Sequence, residues 1–341
     1  MNQPKQPPPE IIMKRMVSGY WISQCLHVIA KLGIAELLTD SPKHCDELAA
    51  ATNTHSDTLY RVLRALASVG VFAETESRHF RLTPLAECLD GDTPNSVKDL
   101  AIMLGEKEHY GPWGELLYSV RTGESAFEHS YGIPFFQYVQ ENPPTGEAFD
   151  RAMTENSDGE NKAIAQTYDF SEIKILVDVA GGAGSLIAAI LRNNPHLKGI
   201  LFDLPQVIEK APPVLKNAGV SGRCQLVGGD FFTSIPAAGD AYLLKHIIHD
   251  WDDEKAIAIL RNCRRAMGKQ GRVLVIEEVI LRGNEPAFGK LLDLQMLVMT
   301  SGGRERSEGE YRELFKTAGL ELTKITPIPA ENLSIIEGVI L

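Results

Sequence analysis

His249 stands four residues beyond the apolar run Ala241-Tyr242-Leu243-Leu244-Lys245 and directly before Asp250-Trp251, and Glu277 closes a second run, Arg272-Val273-Leu274-Val275-Ile276. An imidazole and a carboxylate so placed can serve as a general base and the group that orients it, provided both runs are strands that end on one side of a sheet. Three more acids end strand-like runs: Asp178 after Ile175-Leu176-Val177, Asp203 after Gly199-Ile200-Leu201-Phe202, and Asp230, followed by Phe231, after Cys224-Gln225-Leu226-Val227-Gly228-Gly229. Asp203 lies about twenty residues past a glycine turn, the distance at which an acid meets ribose hydroxyls. Asp230 and Phe231 together can bond an adenine amino group and cover its ring. His246 lacks such support and reads as structural. Asp250, Asp252 and Asp253 lack the loop glycine of a cation site; capping of the next helix by Asp252 or Asp253 accounts for them, and no metal is expected.

The glycine turn is Gly181-Gly182-Ala183-Gly184, between a buried strand and a helix running to about Arg192. A phosphate loop would continue Gly-Lys-Ser/Thr, and here Ser185-Leu186 follows. A dinucleotide fingerprint would put Ile187 where a small residue must sit for helix and strand to pack closely. On its own the remaining pattern, acid-x-x-Gly-Gly-x-Gly, leaves open a cofactor turn of another kind and a merely structural strand-turn-helix; the acids at the other strand ends favour a nucleoside.

The elements that must carry these residues alternate as strand and helix from residue 166 to 341, with a final hairpin over 320–325 and 334–341. Earlier segments differ. Over 11–38 the sequence is apolar on more than one helical face, with Met13, Met16, Tyr20, Trp21 and Ile22, which fits burial against a second subunit. Helices over 45–52 and 56–69, separated by Asn53-Thr54-His55, precede two β-like pieces at 71–74 and 79–82, a winged-helix outline. Its second helix offers only Arg61 and Arg64, offset by Asp57, and the 341-residue chain has a formal net charge of −11. No nucleic-acid partner is expected; the outline reads as a dimerisation domain over 11–100.

Residues 101–165 read as a helical linker interrupted at Gly111-Pro112, Gly132-Ile133-Pro134 and Asn142-Pro143-Pro144. Met103, Trp113, Phe149, Met153 and Asn156 from this linker, with Met296 and Thr300, are the expected lining of a pocket for a flat apolar substrate. The proline-rich residues 1–10 are expected to be disordered. Five scattered cysteines without a Cys-x-x-Cys pair read as free thiols. No apolar run has the length of a membrane span or the form of a signal peptide, so a cytoplasmic location without a membrane partner is expected.

Five motifs in order carry a resemblance: Asp178-Val-Ala-Gly-Gly-Ala-Gly184, Phe202-Asp-Leu-Pro205, Gly228-Gly-Asp-Phe-Phe232, Lys245-His-Ile-Ile-His-Asp-Trp-Asp-Asp253 and Gly302-Gly-Arg-Glu-Arg306. Together they are similar to the class I S-adenosylmethionine-dependent small-molecule O-methyltransferases. These are the caffeate and hydroxyindole O-methyltransferase-like enzymes, with bacterial relatives that methylate polyketide and phenazine hydroxyls. The resemblance implies an α/β, Rossmann-like methyltransferase domain: a seven-stranded sheet whose last hairpin is antiparallel, behind an N-terminal winged-helix domain that forms a homodimer. It implies His249 as base with Glu277 and Glu305 as helping acids. For S-adenosylmethionine it implies Asp178, Gly181, Gly182, Gly184, Asp203, Leu204, Asp230, Phe231 and Lys245. Ala180 and Ala183 stand where glycine and threonine are frequent, and Asn156 near where plant members carry a histidine, which turns the acceptor away from plant phenylpropanoids. The expected function is methylation of a hydroxyl on a small aromatic metabolite. The alternatives are a carbon or nitrogen acceptor, and a cofactor-sensing winged-helix regulator.

Overall fold

The structure, a computed structural model, describes residues 7–93, 96–237, 239–329 and 332–341; within the helix Pro143–Thr167 the side chains of Asn156 and Asp158 fall outside that description. Residues 1–6 of the segment expected to be disordered also fall outside it, and the first helix begins at Pro9. The chain forms two compact units, one of Met1–Gly111 with Asn142–Asn156 and one of Pro112–Glu141 with Ser157–Leu341. The 25-residue helix Pro143–Thr167 starts in the first and ends in the second.

In the first unit the helix expected over 11–38 is three helices, Pro9–Val17, Gly19–Leu32 and Ile34–Leu37. Gly33, at φ 65°, takes the left-handed conformation that ends a helix without a Cβ penalty. None of the residues of Pro9–Val17 is buried, and Met16, Val17 and Trp21 are 70, 71 and 61 % exposed. The core lies further along, where Ile29, Ile34, Leu48, Leu63, Phe72 and Phe80 are almost fully buried. The helices Cys45–Thr52 and Ser56–Ser68 lead into strands β2 (Phe72–Glu76) and β3 (His79–Leu82). A short β1 (Lys43–His44) pairs with β3, giving the order β1-β3-β2. Two residues between a proline and a helix carry no periodicity, so the sequence gives no sign of β1.

The second unit is built on seven strands: β4 (Ile175–Val179), β5 (Lys198–Asp203), β6 (Cys224–Gly228), β7 (Ala241–Lys245), β8 (Arg272–Glu278), β9 (Leu320–Pro327) and β10 (Leu333–Ile340). Their order is β6-β5-β4-β7-β8-β10-β9; the first five are parallel, and β10 runs antiparallel to both its neighbours. Alternate residues feed two cores, Leu176, Leu243, Leu274 and Ile276 on one face and Val177, Val179, Tyr242, Leu244 and Val275 on the other. Burial of both faces is why these strands read as continuous apolar runs. The strand order reverses at β4, so a crevice opens between the carboxyl ends of β4 and β7.

Gly111-Pro112 does not interrupt a helix as expected: Pro112 lies inside Lys107–Trp113, which ends one residue later. Pro112 lies past the first turn, where it removes a helix bond and its ring meets the carbonyl four residues back, and the helix ends at the next residue; Gly132, at φ 77°, caps Ala126–Tyr131. No helix among the described residues is long and apolar enough to cross a membrane.

Candidate active site

The turn after β4 begins with Ala180 at φ 56°, a left-handed conformation unusual for alanine, held by its amide on the Phe202 carbonyl at 2.7 Å. Gly181 must be glycine, because a Cβ there would stand 2.5 Å from both the Asp178 carboxylate and Leu201. Asp203, at the end of β5, ties the turn down: Gly182 N–H donates to one carboxylate oxygen at 2.8 Å and Leu204 N–H to the other at 2.6 Å. Asp230 accepts from Phe232 N–H at 2.8 Å, and Asn262 donates to the Phe231 and Phe232 carbonyls at 2.6 and 3.0 Å. The ends of β4, β5 and β6 thus present three acids on a fixed backbone.

Asp178 tests whether this crevice fits a nucleoside cofactor with a charged amino-acid arm. Its Oδ2 is buried without a hydrogen-bond partner, and burial, with Asp203 adding and Lys245 opposing, pushes its carboxyl up to about 7. A buried acceptor left unpaired is costly, and a bound donor relieves that cost. The residues present fit the group.

Beyond β7 the chain passes His246, at φ 54°, into a single 3₁₀ turn, Ile248–Asp250, which buries His249. The imidazole Nδ1 is 2.5 Å from Glu305 Oε1, where it donates its proton, and Glu305 is itself 3 % exposed. Glu277 works on the backbone: its Oε1 accepts the amides of Ile247 and His249 at 3.1 and 3.0 Å, and its Oε2 accepts the Tyr311 hydroxyl. Burial disfavours the imidazolium, but the carboxylates of Glu305 and Asp250 outweigh it and push His249 up to about 10. Asp250 Oδ1 lies 3.7 Å from His249 Nε2, and burial drives that acid up to about 7.

The segment 302–306 supports the turn from beneath. Arg304 N–H donates to the His249 carbonyl at 2.7 Å, an approach that requires Gly303, whose Cβ would stand 2.6 Å from that oxygen. Arg306, 1 % exposed, donates to the carbonyls of Ile248 and Trp251 at 3.1 and 2.8 Å and to Asp253 at 2.8 Å. Asp252 caps the helix Asp253–Ala266 by accepting Lys255 N–H at 2.8 Å. Arg306, Tyr311 and Asn262 carry no role in the sequence reading. A buried arginine inside a motif was the available signal, but its partners are backbone carbonyls that no side-chain pattern announces.

Of the expected substrate residues, Trp113 donates to Gln295 at 2.7 Å on the helix Gly289–Met299, which also carries Met296. The Thr300 hydroxyl donates to the Met296 carbonyl at 2.8 Å and accepts Gly303 N–H at 3.1 Å, so it braces the turn at Gly302-Gly303. Met103, Phe149 and Met153 belong to the first unit, and the Asn156 side chain lies outside the described residues.

A family model described as an O-methyltransferase domain matches residues 113–321, and another, an O-methyltransferase dimerisation domain, matches 14–92. Phenazine O-methyltransferase PhzM of Lysobacter antibioticus is 47 % identical over 327 residues, 96 % of this chain and 95 % of that protein. The crystal structure of LaPhzM superposes with a TM-score of 0.93 at 46 % identity, covering 98 % of this chain and 100 % of the other. NcsB1, an O-methyltransferase from neocarzinostatin biosynthesis solved with S-adenosylmethionine and 2-hydroxy-5-methyl naphthoic acid, superposes with a TM-score of 0.81. It is 34 % identical, over 94 % of this chain and 96 % of that one.

Proposed function

The chain belongs to the O-methyltransferase family and is an S-adenosylmethionine-dependent enzyme, and from that premise we propose that it methylates a hydroxyl of a small aromatic metabolite with His249 as general base. The observation that carries the proposal is the 2.5 Å contact between His249 Nδ1 and the buried Glu305 carboxylate. It leaves Nε2 as the nitrogen that takes a proton. Relatives acting on a phenazine and binding a hydroxynaphthoate support a fused aromatic acceptor.

S-adenosylmethionine, when bound, supplies a sulfonium methyl already activated for displacement. Gly181, Gly182, Gly184, Asp178, Asp203, Leu204, Asp230 and Phe231 would hold it, with Lys245, whose ammonium protons go to Glu160, Ser157 and Asn161, beside it. The chain's remaining task is to align the acceptor oxygen and remove its proton. A phenol near pKa 10 and a free imidazole near 6.5 differ by roughly 3.5 units, or about 5 kcal/mol uphill. The carboxylates of Glu305 and Asp250 push His249 up to about 10, which narrows that gap for the ring in its neutral form. Glu277 and Arg306 keep the turn from moving as the proton arrives.

The test is a panel of hydroxylated aromatics incubated with enzyme and S-adenosylmethionine, read by mass for the gain of one methyl and by fragmentation for its position. Methylation at phenolic oxygen is the expected result; transfer only to nitrogen or carbon overturns it. The unit carrying the dimerisation match exposes Met13, Met16, Val17, Tyr20 and Trp21, which supports a homodimer through this face. Sedimentation should give twice the chain mass, and Trp21→Asp should shift it toward one chain; a native monomer would remove the proposal. All five cysteines are unpaired, which supports a reducing, cytoplasmic setting.

A further inference from the structure

A charged cluster beside His249 takes no part in the proton path. Glu160 Oε2 accepts Lys245 Nζ at 2.8 Å and His246 Nε2 at 3.2 Å. Lys245 donates its other two protons to Ser157 Oγ at 2.9 Å and Asn161 Oδ1 at 3.1 Å, so the ammonium is saturated. The Lys245 and Glu160 side chains are only 9 and 12 % exposed. Burial works against the Glu160 anion, yet His246 and Lys245 outweigh it and hold the carboxyl down at about 2, so it is ionised at every working pH.

The cluster runs along the crevice. At one end Asn161 donates to Ser185 Oγ at 3.0 Å, on the first residue of the helix that follows the glycine turn. At the other, the His246 ring lies over that of His249, centroids 5.2 Å apart and planes 28° from parallel. The glycine turn belongs to the methyl donor and His249 to the acceptor, so a methyl in transfer crosses the span this cluster borders. Donor and spent cofactor differ there by one charge, a sulfonium before transfer and a neutral thioether after it. A fixed anion favours the first, and a fixed ammonium opposes it.

We infer that Glu160, balanced against Lys245, sets the preference of the site for the sulfonium cofactor over its demethylated thioether product. The inference rests on the cofactor reading above and assigns Glu160 an electrostatic role that leaves the proton path to His249. It also assigns the buried pair a use other than stability, since such pairs contribute little net free energy to folding.

Calorimetric titration of the full-length chain with S-adenosylmethionine and with S-adenosylhomocysteine reads this without turnover. Glu160→Gln should lower the ratio of the two affinities by about five- to tenfold, the size expected for one nearby unit charge after solvent screening. Glu160→Asp keeps the charge and should keep the ratio within about twofold. Lys245→Met should weaken both ligands but move the ratio the opposite way, toward the sulfonium. Equal weakening of both ligands in Glu160→Gln, or shifts of the same sign in the Glu160→Gln and Lys245→Met variants, would overturn the inference and leave a purely structural cluster. If Glu160→Gln does not fold, the sign of the Lys245→Met shift decides alone. A native chain that binds neither ligand would instead overturn the cofactor reading.

Discussion

His249→Ala should lower the rate of methyl transfer by about two to four orders of magnitude, the range removed with a general base, while binding of S-adenosylmethionine stays near its native strength. The separation follows from the position of the residue: His249 sits beyond β7 in its own turn, whereas the residues proposed to hold the cofactor lie on the glycine turn and at the ends of β5, β6 and β7. The substitution has a second consequence that must be measured beside the first. Glu305 is 3 % exposed, His249 is the partner of its Oε1, and its Oε2 has none. Removing the imidazole leaves an unpaired buried carboxylate, which costs about 3–5 kcal/mol unless it protonates. The double variant His249→Ala with Glu305→Gln replaces that charge with a neutral amide. It should recover much of the melting temperature and none of the activity. Recovery of activity with stability would mean that His249 serves the fold; near-native turnover of the single variant would mean that proximity suffices.

Much of this site is legible in the sequence because strand ends are. Apolar runs buried on both faces announce β4, β5, β7 and β8, and the residue types at the strand ends announce a nucleoside crevice with an imidazole beside it. What spacing leaves open is which atom each end group touches. Glu277 and Glu305 both read as partners of the imidazole, yet Glu277 holds the amides of Ile247 and His249, and only Glu305 reaches the ring. The difference comes from the two motifs entering from different sides: β8 runs parallel to β7 and brings Glu277 up beside the backbone, while Glu305 arrives on the segment after the Gly302-Gly303 turn. Arg306 and Glu160 escape a sequence reading for a related reason, since their partners are main-chain carbonyls or residues more than fifty positions away. In the first unit the long apolar stretch reads as one helix because periodicity is insensitive to a single left-handed residue such as Gly33.

Glu305→Gln should change the pH dependence of the reaction more than its rate at neutrality. In the native enzyme Glu305, with Asp250 beside it, raises His249 from the ordinary imidazole range to about 10 despite burial. The proposed base acts in its neutral form, so kcat/KM should climb with pH through an ascending limb well above pH 7, and a bound sulfonium would draw that limb down. Glutamine can still accept Nδ1–H through its amide oxygen, so the ring stays oriented, but the charge that raised its pKa is gone. The limb should therefore move downward, with Asp250 still raising the ring and burial lowering it, and the plateau should fall because a less basic imidazole assists proton removal less, by roughly tenfold or more. These two effects oppose each other below the native limb, where a larger neutral fraction offsets weaker basicity; above it the neutral fractions are equal and only the weaker basicity counts. Glu305→Gln should accordingly match or exceed the native rate near pH 7 and fall below it as pH rises. A pH–rate profile whose ascending limb is the same in both enzymes would show that Glu305 does not govern the proton on His249. A uniform loss at all pH values would assign it to orientation alone.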